Sequence, residues 1–220
     1  MTWRAIFAFV LVVMIAASIG MAFEAAERSP GWFLHPGAQV FLMEALLALV
    51  VYAGAIIVIV ANRGEEWDVE LRNAAIFGSI TGIVELINVA LESYAATSNT
   101  GLQLAGMLAI FALWGMAALS TARELRRFRS GVAAAVMSAG VCMVIAVTAG
   151  FALELFIAPL QPEYVATWPE FKRSGWLDAQ AFAVANTLAS GFTHLCFGPV
   201  IAVIVGCAGA GIGKRMAPQD

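Results

Sequence analysis

The chain has 220 residues, of which 61% are hydrophobic and 12% charged, with a formal net charge of −3. Soluble domains are about 45–50% apolar and about 25% charged, so a water-soluble core is excluded and a polytopic membrane protein in one domain is expected. The weak negative charge, with basic residues confined to loops, excludes nucleic acid as a partner.

Six apolar runs are long enough to cross about 30 Å of hydrocarbon at about 1.5 Å per residue. They cover approximately residues 5–23, 38–61, 74–94, 101–120, 131–160 and 179–211, which predicts an all-α bundle of six transmembrane helices. The first run, behind Arg4 and ahead of Gly20-Met21-Ala22, has the make-up of a signal peptide but is read as a retained helix. The fifth and sixth exceed a straight span, so tilt or extension is expected, and Pro199 should bend the sixth.

Basic residues set the orientation. Arg4, Arg63, Arg72, Arg123, Arg126, Arg127, Arg129, Lys214 and Arg215 fall on one set of loops; only Arg28, Lys172 and Arg173 fall on the other. The excess places both termini in the cytoplasm, and a bacterial inner membrane is the expected location. Residues 123–129 are read as an extension of the fourth helix marking the inner surface, where they can touch anionic lipid headgroups. Residues 65–70 are read as a solvated loop or interfacial turn.

Two outer loops are aromatic. Residues 24–37 contain Trp32 and His35, and residues 161–178 contain Tyr164, Trp168, Phe171 and Trp176. Such residues favour the headgroup level, so both loops are expected along the outer interface; a lid over an outward-facing cavity is the alternative.

The polar residues inside the spans carry the functional signal. On the third helix, steps of about 100° bring Gly78, Thr81, Glu85, Asn88 and Glu92 to one face and Ile76, Ile80, Ile83, Ile87 and Leu91 toward the other. On the sixth, Asn186, Ser190 and His194 repeat at intervals of four, with Thr193 beside them. An imidazole with an ordinary pKa near 6.5 exchanges protons near neutrality. Glu44, Glu92 and Glu154 are placed in an outer layer, with Glu85 nearer the middle and His194 about two turns below the outer glutamates. One site holding all of them is therefore not expected.

No Lys or Arg lies within a span to pair with these carboxylates. A charged side chain at mid-bilayer costs about 2.5–3.5 kcal/mol on insertion scales, so each must gain a proton, a cation or a polar partner. If a metal binds, Glu44, Glu92 and Glu154 are its candidate ligands; no cofactor is predicted beyond a bound cation. Cys142, Cys196 and Cys207 lie in apolar segments without metal-ligand spacing and are read as small buried hydrophobes.

Catalytic motifs are missing. Gly78-Ser79-Ile80-Thr81 does not match the Gly-x-Ser setting of rhomboid-type proteases, and HExxH, paired aspartates, a P-loop and CxxCH do not occur. The favoured reading is a small transporter or channel for a proton, cation or small solute. Glu85, Asn88, Glu92, Asn186, Ser190 and His194 line its path, and no residue is assigned as catalytic. The alternatives are an accessory subunit, binding lipid, a partner subunit or its own copy through these stripes, and a membrane enzyme with an outward carboxylate or metal site.

Overall fold

A computed structural model describes residues 3–34, 38–61, 64–94 and 100–217; His35 and Arg63 lie outside them. The described residues are helical, without strands, in the order α1 Trp3–Arg28, a 3-10 turn Pro30–Leu34, α2 Ala38–Ala61, α3 Glu65–Tyr94, α4 Thr100–Leu125, α5 Phe128–Phe151, a π-helical turn Ala152–Ile157, α6 Pro162–Val165, α7 Pro169–Ser174 and α8 Ala179–Arg215. Among them, α1–α5 and α8 are long and apolar enough to cross a membrane, as expected of an integral membrane protein.

α5 is the central helix. Its span is 56% buried, against 17–33% for the other five. It packs on α3, α4 and α8, while α1 and α2 lie at the periphery. Small residues allow this closeness: Ala134, Ala135, Ser138, Ala139 and Cys142 are buried along α5. On α8, a methyl group at Gly209 would strike the Gly115 carbonyl of α4, and one at Gly213 would strike that of Leu119. Backbones without side chains between them gain dense van der Waals contact, which drives helix association where lipid removes the hydrophobic difference.

Ile76, Ile80, Ile83 and Ile87 are exposed on α3, as the periodicity predicted, and Thr81 on the opposite face is wholly buried. Ion pairs bring the start of α1, the start of α3 and the α4–α5 connection to one end of the bundle, called here the near end: Arg4 to Asp68, Arg127 to Glu66, and Arg72 to Glu124 at 2.7 Å.

Three sequence expectations require correction at helix ends. Residues 65–70 open α3 as helix rather than forming a loop, because Glu66 and Asp68 find cationic partners there. Residues 123–125 extend α4 as expected, but 126–129 do not: the helix ends at Leu125, Arg126 turns left-handed at φ 54°, and α5 begins at Phe128. The fifth run is not a uniform helix to residue 160, since it passes into the π turn after Phe151.

At the far end, the segment between α5 and α8 folds back as two short helices. Pro162 and Pro169 begin them, and Gly175 ends α7 at φ 76°, a backbone setting that suits glycine. Asp178 then caps α8, its Oδ1 accepting from the Gln180 and Ala181 N–H groups at 2.9 and 3.1 Å. Phe182 of α8 makes edge contacts with Phe171 and Trp176 that anchor the segment. α8 continues through Pro199 for 37 residues, about 55 Å of helix.

Candidate functional site: a carboxylate cavity between α3, α5 and α8

A cavity of about 540 Å³ opens between α3 and α8 over a floor made by α5. α3 supplies Glu85, Asn88, Glu92 and Ser93; α8 supplies Asn186, Thr187, Ser190 and His194. Gly150 and Gly191 keep the walls thin, and Phe151 from the floor packs so closely that a methyl at Gly191 would lie 2.6 Å from its ring. Leu160, Trp168 and Glu170 border the cavity at the far end, so the 161–178 segment covers it in part as well as skirting the bundle.

All six residues assigned to the polar stripes line this one cavity. The two stripes meet at the pair Glu85 and His194, with Oε1 and Nε2 3.6 Å apart. The carboxyl is 15% exposed and the imidazole 47%. His194 Nδ1 lies 2.6 Å from the Ser190 carbonyl oxygen, a contact that assigns the Nδ1 proton to that bond and aims Nε2 at Glu85. Nε2 and Oε1 thus face each other at ion-pair distance, just beyond a direct hydrogen bond. Asn88 lies against Gly106 of α4, where any side chain would collide with its amide.

Glu154 is the second focus. Ser93 of α3 donates to its Oε1, and Thr187 of α8 donates to its Oε2 at 2.9 Å. This belt crosses the cavity from wall to wall. It depends on the π turn, whose extra residue per turn shifts the direction of Glu154; such turns recur at functional sites. Tyr94 Oη donates to the Ala158 carbonyl at 2.5 Å, and the Arg28 guanidinium sits 5.2 Å above the Phe156 ring, fixing the turn from two sides.

One space holding all of these groups was not expected, and Glu44 does stand apart, but Glu85, Glu92, Glu154 and His194 border the same cavity despite their different depths. The physical reason is that depth along an axis does not separate side chains around a cavity several turns long. Glu44 is the exception. It sits on α2 across α8, where Thr193 donates to its Oε2 at 3.2 Å, and it does not line the cavity. The trio Glu44, Glu92 and Glu154 is thus split by α8, and no cluster of three metal-ligating side chains occurs among the described residues.

Reasoning from sequence passed over Ser93, Thr187 and Glu170, and named Trp168 only among the aromatics of an outer loop. Ser93 and Thr187 adjoin the chosen Glu92 and Asn186, and a search for donors level with Glu154 was the available signal. Cys142 is buried as predicted, Cys196 donates weakly to the Glu44 carbonyl, and Cys207 is exposed, contrary to expectation, on the outer side of α8. Among the described residues, four carboxyl groups and one imidazole border the cavity, and no Lys or Arg does.

No family model matches the chain, and no curated protein or solved structure is significantly similar to it.

Proposed function

We propose that this chain is a membrane transporter that exchanges protons for a small cationic solute, with Glu85 as the exchanging group and His194 as its proton partner. The observation that carries the reading is the contact of Glu85 with His194 inside a cavity bordered by Glu92, Glu154 and Glu170 and, among the described residues, by no Lys or Arg. Carboxyl groups in low dielectric demand neutralisation, and a proton and a cation compete for that task. Their competition is the physical basis of exchange. A volume of about 540 Å³ is within the range of small-molecule sites and larger than a bare ion requires.

The basic-residue asymmetry supports a cytoplasmic near end, with the cavity opening at the opposite face of a bacterial inner membrane. Asn186, Ser190 and His194 supply hydrogen-bonding groups along one wall, and Trp168 an aromatic face at the mouth. A second reading, an enzyme acting on a membrane-embedded substrate, is favoured by the convergence of carboxyl groups with an imidazole, which are groups able to act as acid and base.

Flux into proteoliposomes under a pH gradient tests the proposal, with methylammonium, guanidinium, Na⁺ and K⁺ as probes. Gradient-driven uptake of at least one probe, lost in Glu85→Gln, is the expected result. Absence of any gradient-driven flux, with unchanged chemistry of added lipids, overturns transport; conversion of a lipid by the native chain but not by Glu85→Gln establishes the enzyme.

A further inference from the structure

We infer that a proton route continues from Glu85 through the α3–α4–α5 seam to Glu70 at the near end, separate from the cavity through which the solute enters. The inference rests on the proton-exchange reading of Glu85 and adds the side from which its proton comes.

The face of α3 that carries Glu92, Asn88 and Glu85 does not stop at the cavity. Thr81, Gly78, Ala74 and Glu70 continue it within a narrow arc, over about 22 Å from residue 85 to residue 70. Thr81 is fully buried; its hydroxyl donates to the Phe77 and Gly78 carbonyls at 2.8 and 3.0 Å and lies within hydrogen-bonding reach of the Cys142 thiol of α5. Ser138 of α5 is next: its carbonyl lies 2.7 Å from where a Cβ on Gly78 would sit. Nearer the end, Asn73 donates to Thr121 of α4 at 2.9 Å, and Ser130 of α5 hydrogen-bonds the Glu70 carboxyl.

Three buried polar atoms along this seam have no protein partner: Ser138 Oγ, Trp114 Nε1 and Glu70 Oε2. Their residues are 0%, 1% and 5% exposed. Buried polar groups are nearly always paired, and where protein provides nothing, an ordered water is the usual partner. Here the orphans are strung between Glu85 and the near end. Along the axis of α3, the intervals from 85 to 81, 81 to 78, 78 to 73 and 73 to 70 are about 6, 4.5, 7.5 and 4.5 Å, which one or two waters between the polar groups at each level can bridge. Close packing at Gly78 blocks any solute, but a proton needs only a chain of hydrogen bonds. Glu70 faces Glu66, Arg127 and Ser130, and the Arg72–Glu124 pair stands close by, so the route ends among exposed charges.

Proteoliposomes holding a trapped pH dye, with a potassium diffusion potential as the driving force, read proton movement without any solute. Native protein should conduct protons; Ser138→Ala and Glu70→Gln should each lower the rate at least about tenfold, while Glu44→Gln, on α2 away from the seam, leaves it unchanged. Ser138 Oγ makes no protein hydrogen bond, so Ser138→Ala should keep the native thermal midpoint, which separates relay from folding defects. Proton rates in Ser138→Ala and Glu70→Gln equal to native, or no proton movement in the native protein, overturn the route. Probe uptake abolished by Glu85→Gln in those circumstances leaves the exchange reading standing; uptake indifferent to Glu85→Gln removes that reading instead.

Discussion

Nε2 of His194 on α8 faces Oε1 of Glu85 on α3 at 3.6 Å, although α3 and α8 meet mainly through α5 between them. The contact joins two helix faces that each hold a polar stripe, and it occurs within a cavity rather than in a packed seam. If the two groups act as a pair, their effects are not additive. In a cycle of Glu85→Gln, His194→Gln and the double variant, thermal midpoints in detergent should give a coupling of about 1 kcal/mol. Additive effects would deny the pairing.

The Glu154 belt should be a structural tie between the walls as well as part of the site. Thr187→Val removes the donor to Oε2 while keeping the shape, and Ser93→Ala removes the donor to Oε1. Each should cost about 1 kcal/mol, since a half-buried acceptor loses its partner, and Thr187→Ser should restore most of the loss. Unfolding followed by tryptophan fluorescence measures it.

Glu44 provides an internal control. It is bound to Thr193 on the side of α8 away from the cavity. Glu44→Gln should leave gradient-driven uptake within about twofold of native, whereas Glu92→Gln and Glu154→Gln should lower it more than about tenfold, a difference of at least about 1.4 kcal/mol. Equal losses in all three would show that the charge layer acts without regard to the cavity.

Helix contact at the near end should be intolerant of size at one face of α8 only. Gly213→Val forces a side chain into the Leu119 carbonyl, while Gly211→Val enters space where nothing lies within 4 Å. The first should lose about 1–3 kcal/mol or fail to assemble, and the second should behave as native. Monodispersity and thermal midpoint in detergent distinguish them.

At the same end, the exposed Arg72–Glu124 pair and the buried Asn73–Thr121 bond should rank oppositely to their charge. Glu124→Gln is expected to cost less than about 1 kcal/mol, because solvent screens an exposed pair. Thr121→Val leaves the Asn73 amide buried and short of an acceptor and should cost about 1–3 kcal/mol. Urea or thermal unfolding of both variants gives the order.

Much of this arrangement was legible before any coordinates. Composition required a membrane protein, six apolar runs gave the number of spans, and a 3.6-residue period separated the isoleucine face of α3 from its polar face, because lipid rewards one kind of surface and penalises the other. The same logic singled out Glu85, Asn88, Glu92, Asn186, Ser190 and His194 before they were known to adjoin one space. Depth along the helices also made Glu44 look equivalent to Glu154, since it reports height in the bundle and nothing about which helices are neighbours.

That second kind of information came only from packing. Small residues on α5 and α8 let backbones close on one another and set α8 between Glu44 and the cavity. One π turn, unannounced by any local sequence signal, carried Glu154 to its two hydroxyl donors. The acidic start of α3 became helix because cations from α1 and the α4–α5 connection reach it. Sequence by itself determined which residues are too polar for lipid; the tertiary structure decided which of them meet, because neighbours are chosen by close contact between helices and not by any property of a single one.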